Sequence, residues 1–267
     1  MTPFQALVLG LLQGLCEFLP ISSSAHLALV PWFMGWPEPG LSFDVSLHVG
    51  TLVAVLVYFR VEWARIIAAA WKIVRTRRVE TESERRVVFL IIATIPGGVG
   101  GLLLADYAET TFRSPAIIAV ALMTLGVVLW IVDRYAPRSR PLAKMRWWDA
   151  VFIGVAQVFA LIPGVSRSGA TITAGRATGF DRESAAVFSF LMSMPIIAAA
   201  AVLEVPNALR DNGLDLPLIV GVLASAVSGW LAIAVLLRYV SRNSYGIFAI
   251  YRVVLGLAVL AVLAVRA

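Results

Sequence analysis

Apolar runs of about twenty residues recur along this chain with almost no polar–apolar alternation, and that pattern restricts the fold more than any other feature. A helix of that length crosses a hydrocarbon core of ~30 Å and satisfies its own backbone hydrogen bonds there. Barrel strands would show a two-residue period instead. The composition agrees: 60% of the 267 residues are hydrophobic and only 14% are charged, with a mean hydropathy of +0.88, well outside the balance of soluble domains. The expected fold is therefore an all-α polytopic membrane protein, with residues 1–267 forming a single integral domain.

The formal net charge of +6 does not point to a nucleic-acid partner. The basic residues sit in short connections between apolar runs, where they report orientation in the bilayer. One cluster follows the run at 44–59 (Arg60, Arg65, Lys72, Arg75, Arg77, Arg78, Arg85, Arg86), and a second follows 115–133 (Arg134, Arg138, Arg140, Lys144, Arg146). Both are expected on the cytoplasmic side. Acidic residues occupy the opposite connections, with Asp106 and Glu109 in one and Asp211 and Asp215 in the other. Spans are expected at about 44–59, 87–105, 115–133, 183–203, 217–237 and 247–265, with both termini outside. Residues 62–74 are amphipathic and suit the membrane surface, and Thr81 with Glu84 reads as a capping box. The first segment contains Gln13 and Glu17 and has no basic leader, unlike a cleaved signal peptide. The lone Cys16 excludes an internal disulfide, and no Cys/His ligand cluster is present.

Two further apolar stretches are too short to cross and are broken by proline. Residues 4–19 stop at Pro20 and Ser22–Ser24 before a second piece at 25–33; residues 147–162 stop at Pro163 before a piece ending near Gly179. Each reads as a re-entrant helical hairpin, about 4–33 and 147–179. The two also resemble each other: QALVLGLLQ (5–13) aligns with DAVFIGVAQ (149–157), and Ser22 and Ser24 align with Ser166 and Ser168 at the same offset. With the first hairpin entering from outside and the second from inside, the halves, about 1–135 and 136–267, form an inverted-topology repeat. The two broken tips are expected to meet near the midplane.

Polar chemistry concentrates at those breaks. In PGVSRSGAT (163–171), Pro163 and Gly164 end a helix, Ser166, Arg167 and Ser168 follow, and Gly169 lets the backbone turn closely into the next helix. A helix N-terminus supplemented by hydroxyls and a guanidinium is an anion site. In the first hairpin, Gln13 and Glu17 share a helix face, and Ser23 and His26 follow Pro20. Glu17 can activate a serine or, with Gln13, help hold a divalent cation such as magnesium, which needs few protein carboxylates when phosphates supply ligands. His26 can donate a proton or attack phosphorus itself. Elsewhere, His48 and Thr51 suit bonding between helices, Arg252 beside Tyr251 requires a partner or a polar cavity, and Ser189, Ser193 and Cys16 suit close packing.

EFLPISSSAH (17–26), SFDVSLHVGTLVAVLVYF (42–59), PGVSRSGAT, FSFLMSMP (188–195) and AIYRVVLG (249–256) resemble the undecaprenyl-diphosphate phosphatases associated with bacitracin resistance, over nearly the whole chain. The resemblance implies hydrolysis of undecaprenyl diphosphate to the monophosphate carrier used in cell-wall synthesis, assisted by a divalent cation, Mg2+ or Ca2+. It assigns Glu17 as the catalytic or metal-associated carboxylate, Ser23 and His26 as nucleophile and acid/base, and Arg167 as the phosphate clamp. Ser166, Ser168 and Thr171 match its phosphate loop, and Ser22, Ser24, Gly164 and Gly169 flank the same two breaks. Gln13 stands where some members carry Glu, which leaves Glu17 as the firm carboxylate. A multi-pass protein of the bacterial plasma membrane, with its site open to the outer face and a homodimer admitted as its assembly, is the implied setting. The residues taken alone also suit a lipid-phosphate or anion transporter built on the same inverted repeat.

Overall fold

The computed structural model describes residues 1–109 and 111–266; of these, the side chains of Leu41, Ala105, Asp106, Ala108, Glu109, Thr111, Ala208, Asp211 and Asn212 lie outside the described residues. The described chain is helical throughout: α1 (Pro3–Phe18), α2 (Ser23–Met34), α3 (Leu41–Tyr58), α4 (Arg60–Thr76), α5 (Glu82–Glu109), α6 (Pro115–Tyr135), α7 (Trp147–Val158), α8 (Arg167–Ala177), α9 (Arg182–Asn212), α10 (Leu216–Val240) and α11 (Gly246–Arg266). Five helices are long and apolar enough to cross a membrane, and a sixth span is counted when α3 and α4 are taken as one bent pair. The bend between them is 86°, so α4 leaves the direction of α3 almost at a right angle, as suits its amphipathic sequence. Thr81 and Glu84 form the expected capping box: Glu84 N–H donates to Thr81 Oγ1 at 3.3 Å, and Thr81 N–H to Glu84 at 3.0 Å.

The two connections expected to hold the acidic residues are shorter than the sequence pattern suggests. Helix α5 continues to Glu109 and α9 to Asn212, so the backbones of residues 106, 109 and 211 belong to helices rather than loops. Nothing in the sequence stops α9 before Gly213, whose φ of +67° ends the helix. Asp215 then caps α10, accepting from Leu218 N–H at 2.9 Å.

The broken helices sit inside this frame by close backbone approach. Helix α1 packs along α10 and α3, and α7 along α5. A Cβ at Gly10 would overlap the Gly221 carbonyl oxygen, one at Gly14 would overlap the Ser228 hydroxyl, and one at Gly154 would meet the Ala93 carbonyl at 2.6 Å. Without a hydrophobic drive between helices in lipid, contacts of this kind supply dispersion energy that longer side chains would forfeit. The pairings also mirror each other: α1 with α10 matches α7 with α5, and α3 with α10 matches α9 with α5. Below the second hairpin, Asp133 of α6 ties four elements together. It accepts from Arg176 Nε at 3.0 Å, Arg182 Nη2 at 2.7 Å and Tyr245 N–H at 3.0 Å.

Candidate active site

The two breaks have one local design. At each break the residue before the proline is extended, Leu19 in one and Ile162 in the other, and two or three residues after the proline the chain reaches a serine at positive φ, Ser22 at 76° and Ser166 at 69°. These are conformations that L-residues adopt at a cost of order 1–3 kcal/mol, retained where the surroundings enforce them. Each serine caps the following helix: Ser22 Oγ accepts from Ala25 N–H at 3.3 Å, and Ser166 Oγ from Gly169 N–H at 3.0 Å. Each also lies 3.2 Å from the hydroxyl two residues on, Ser24 and Ser168 respectively. As a result Ser23 and Arg167 are the first residues of α2 and α8, and two helix N-termini converge.

The tips are bonded to each other. Gly164 N–H donates to Ser22 Oγ at 3.1 Å, and Ser168 Oγ donates to the Leu19 carbonyl at 3.1 Å. Arg252 of α11, fully buried, reaches Pro20 O at 3.2 Å, Gly164 O at 2.7 Å, Val165 O at 2.9 Å and Leu122 O at 3.1 Å. The partner that Arg252 required is thus a set of backbone carbonyls, most of them freed by the two breaks. A Cβ on Gly169 would lie 2.6 Å from Arg252 Nη1, so the close approach at this glycine makes room for that arginine.

Glu17 stands at the centre. Its carboxylate accepts from Ser23 Oγ at 2.5 Å, from Gln13 Nε2 at 3.0 Å and from Arg167 Nη2. Arg167 Nη1 also donates to the Ser193 carbonyl at 3.1 Å. Burying this ion pair is costly unless both ions are well hydrogen-bonded, which these contacts achieve. Glu17, Ser23, Ser24, Ser166 and Arg167 face a cavity of about 220 Å³ closed by α3, α5, α7 and α9. Val45, Leu161, Ile196 and Ile197 supply apolar wall.

The remaining sequence candidates lie around this cavity rather than on it. Ser22, Ser168 and Thr171 are spent on internal bonds; Thr171 Oγ1 lies 2.6 Å from Ser189 Oγ. Gly164, with φ of +97°, shapes the turn. The expected convergence of carboxylate, hydroxyl and the His26 imidazole requires correction. His26 Nδ1 donates to Ser22 O at 2.7 Å, which in the neutral ring leaves Nε2 to accept from the Tyr251 hydroxyl at 2.7 Å. Both ring nitrogens are therefore committed away from the cavity. The imidazole beside Glu17 is that of His48, whose Nε2 lies 3.5 Å from the carboxylate.

A family model described as Bacitracin resistance protein BacA matches residues 6–258, which contain every residue of this site. The chain belongs to this family. Among curated relatives, the undecaprenyl-diphosphatase of Gemmatimonas aurantiaca is 61% identical, with all of both chains covered. The undecaprenyl-diphosphatases of Desulforudis audaxviator and Moorella thermoacetica are each 50% identical, again over the full length of both chains.

Within this BacA family member, sequence reasoning missed the part that three residues play in the site. His48 reads as a structural residue because its neighbour Glu17 is far away in the chain. Tyr251 carries no polar signal in an apolar helix. Ser193 reads as a small packing residue, yet its carbonyl holds Arg167. Two signals were available: an intramembrane histidine facing the same way as the polar residues of its helix, and the adjacency of Tyr251 to a buried arginine.

Proposed function

We infer that this protein is an undecaprenyl-diphosphate phosphatase, releasing inorganic phosphate and regenerating the monophosphate carrier for cell-wall synthesis, and so conferring bacitracin resistance. The observation that carries the assignment of its site is the Arg167–Glu17–Ser23 chain, set where two helix N-termini meet in a cavity with apolar walls. The isoprenoid tail stays among apolar helix flanks in the bilayer while the diphosphate enters the cavity.

Ser23 is the supported nucleophile, because its hydroxyl proton already points at Glu17. In the reaction, Ser23 Oγ forms a bond to the terminal phosphorus, the bond to the bridging oxygen breaks, and polyprenyl phosphate leaves. Glu17 takes the serine proton and passes it to the departing polyprenyl phosphate; it then takes a proton from the water that attacks the phosphoserine and returns it to Ser23 Oγ as inorganic phosphate leaves. Arg167 and the free N–H groups opening α2 and α8 hold the phosphoryl oxygens as charge redistributes. His26 orients the tip by linking Ser22 to Tyr251.

A divalent cation fits the oxygen donors present. Gln13 Oε1 is buried without a partner beside Glu17, although among the described residues no group of three His, Cys, Asp or Glu side chains could hold a metal. Gln13 and Glu17 would hold the ion, with the diphosphate completing its shell. When bound, it neutralises charge on the substrate. We place the protein in the plasma membrane with the cavity open to the outer face. In support, Val45 and His48 lie early in α3, and Ala200 lies in the later half of α9, the ends remote from the basic connections. The mirrored helix pairings support the inverted repeat in the same way.

Purified protein is expected to release phosphate from polyprenyl diphosphate. Ser23→Ala should abolish turnover, and Arg167→Ala should lower kcat/KM by about 10²–10³-fold, the range for a lost charge-stabilising donor. Wild-type rates in either variant would overturn these roles.

A further inference from the structure

The cavity contains a polar side chain that the chemistry above does not use. Gln157 of α7 lines it and is only 4% exposed, yet both its Nε2 and its Oε1 are buried without a hydrogen-bond partner. A buried amide with neither end paired is rare, because each unpaired polar atom carries its full desolvation penalty. The helix opposite makes room for it. Gly97, in the interior of α5, also lines the cavity, and a Cβ there would collide with Gln157 Nε2.

The duplication accounts for the unused capacity. Gln157 occupies in the second hairpin the position that Gln13 occupies in the first. Gln13 donates Nε2 to Glu17 at 3.0 Å, four residues on. The residue four on from Gln157 is Leu161, so this amide has kept its place and has no carboxylate to serve. It faces the same space as Arg167 and Ser23. A diphosphate presents several anionic oxygens, and among the described residues Arg167 is the one arginine or lysine lining the cavity.

We propose that Gln157 is a substrate-binding residue, its amide N–H groups donating to phosphoryl oxygens of the bound diphosphate in a slot kept open by Gly97. This rests on the phosphatase reading of the cavity. The contact serves the bound substrate throughout the reaction, so its loss acts on KM rather than on kcat.

The test is steady-state phosphate release from polyprenyl diphosphate in detergent, paired with thermal unfolding of the same preparations. Gln157→Leu keeps the volume and removes two unpaired polar atoms. It should raise KM by about ten- to a hundredfold, the range for a hydrogen bond to a charged acceptor, while kcat stays within a few-fold and the unfolding temperature is unchanged or higher. Gly97→Ala should raise KM by crowding the amide, and should add nothing in a Gln157→Ala background, where the slot is empty. An unchanged KM in Gln157→Leu overturns the proposal, as does a lowered unfolding temperature with unchanged KM, which marks a structural amide. A fall confined to kcat also overturns it. If the wild-type protein releases no phosphate, the phosphatase reading fails and this role with it; if the wild type turns over and Gln157→Leu matches it, only the role of the amide fails.

Discussion

Ser22 and Ser166 combine two opposed effects, an N-cap bond that stabilises the helix and a positive φ that strains the backbone. Substitution can separate them. Ser22→Ala loses the cap, strands Gly164 N–H and keeps the strain, for an expected loss of about 2 kcal/mol; Ser22→Gly loses the same bonds but relieves the strain, so it should cost about 1 kcal/mol less. Thermal unfolding in detergent checks the order, Gly above Ala, at both positions. Arg167→Lys tests geometry at the same scale. A lysine keeps the charge but gives up the planar fork that reaches Glu17 and the Ser193 carbonyl together, so phosphate release should be partly retained and well below wild type. Glu17, Ser23 and Arg167 were legible in the sequence because a charge or a serine run inside an apolar stretch is costly and stands out. The place of His26 was not, since the choice between Ser23 and Tyr251 as its neighbour depends on α11, more than two hundred residues away.

Proline content does not by itself decide which helices break. Pro96 and Pro195 sit inside α5 and α9 without ending them, whereas the runs containing Pro20 and Pro163 end. The difference lies in the next two or three residues: each breaking proline is succeeded by a serine that caps a new helix, Ser22 in one case and Ser166 in the other, so the chain exchanges one set of helical bonds for another. The two breaks were therefore legible, and the ends of α5 and α9 were not, because acidic residues near a helix end carry no stop signal of their own; α9 runs on to Gly213. Helix seating gives a prediction of its own. Gly154→Leu places a branched side chain where even a Cβ would lie 2.6 Å from the Ala93 carbonyl. It should separate α7 from α5 and lower the yield of folded protein, while Gly98→Leu, on α5 with nothing within 4 Å, should be tolerated. Size-exclusion recovery after extraction reads both.

At the scale of the molecule, charge sets orientation. The basic residues of α4 and of the connection between α6 and α7 lie at one end and Glu38 at the other, which predicts opposite accessibility. In a Cys16→Ser background, Glu38→Cys should react with a membrane-impermeant maleimide on intact cells, and Arg77→Cys only after permeabilisation; the reverse pattern would invert the topology. Two short alignments made the likeness of the two breaks legible, but the residue that joins their tips was not. Arg252 lies in neither hairpin, and the AIYRVVLG motif that contains it does not say what it pairs with. Its replacement by Met should remove four carbonyl contacts and cost about 2–4 kcal/mol, seen as a lowered unfolding temperature. Mechanically, Arg252 is a rivet: one rigid guanidinium passes through both tips, so they travel as a single anvil. A working cycle that rocked one tip away from the other would have to shear it. Any motion that admits a headgroup therefore belongs outside the two tips, whose joined surface stays still while the headgroup is cut.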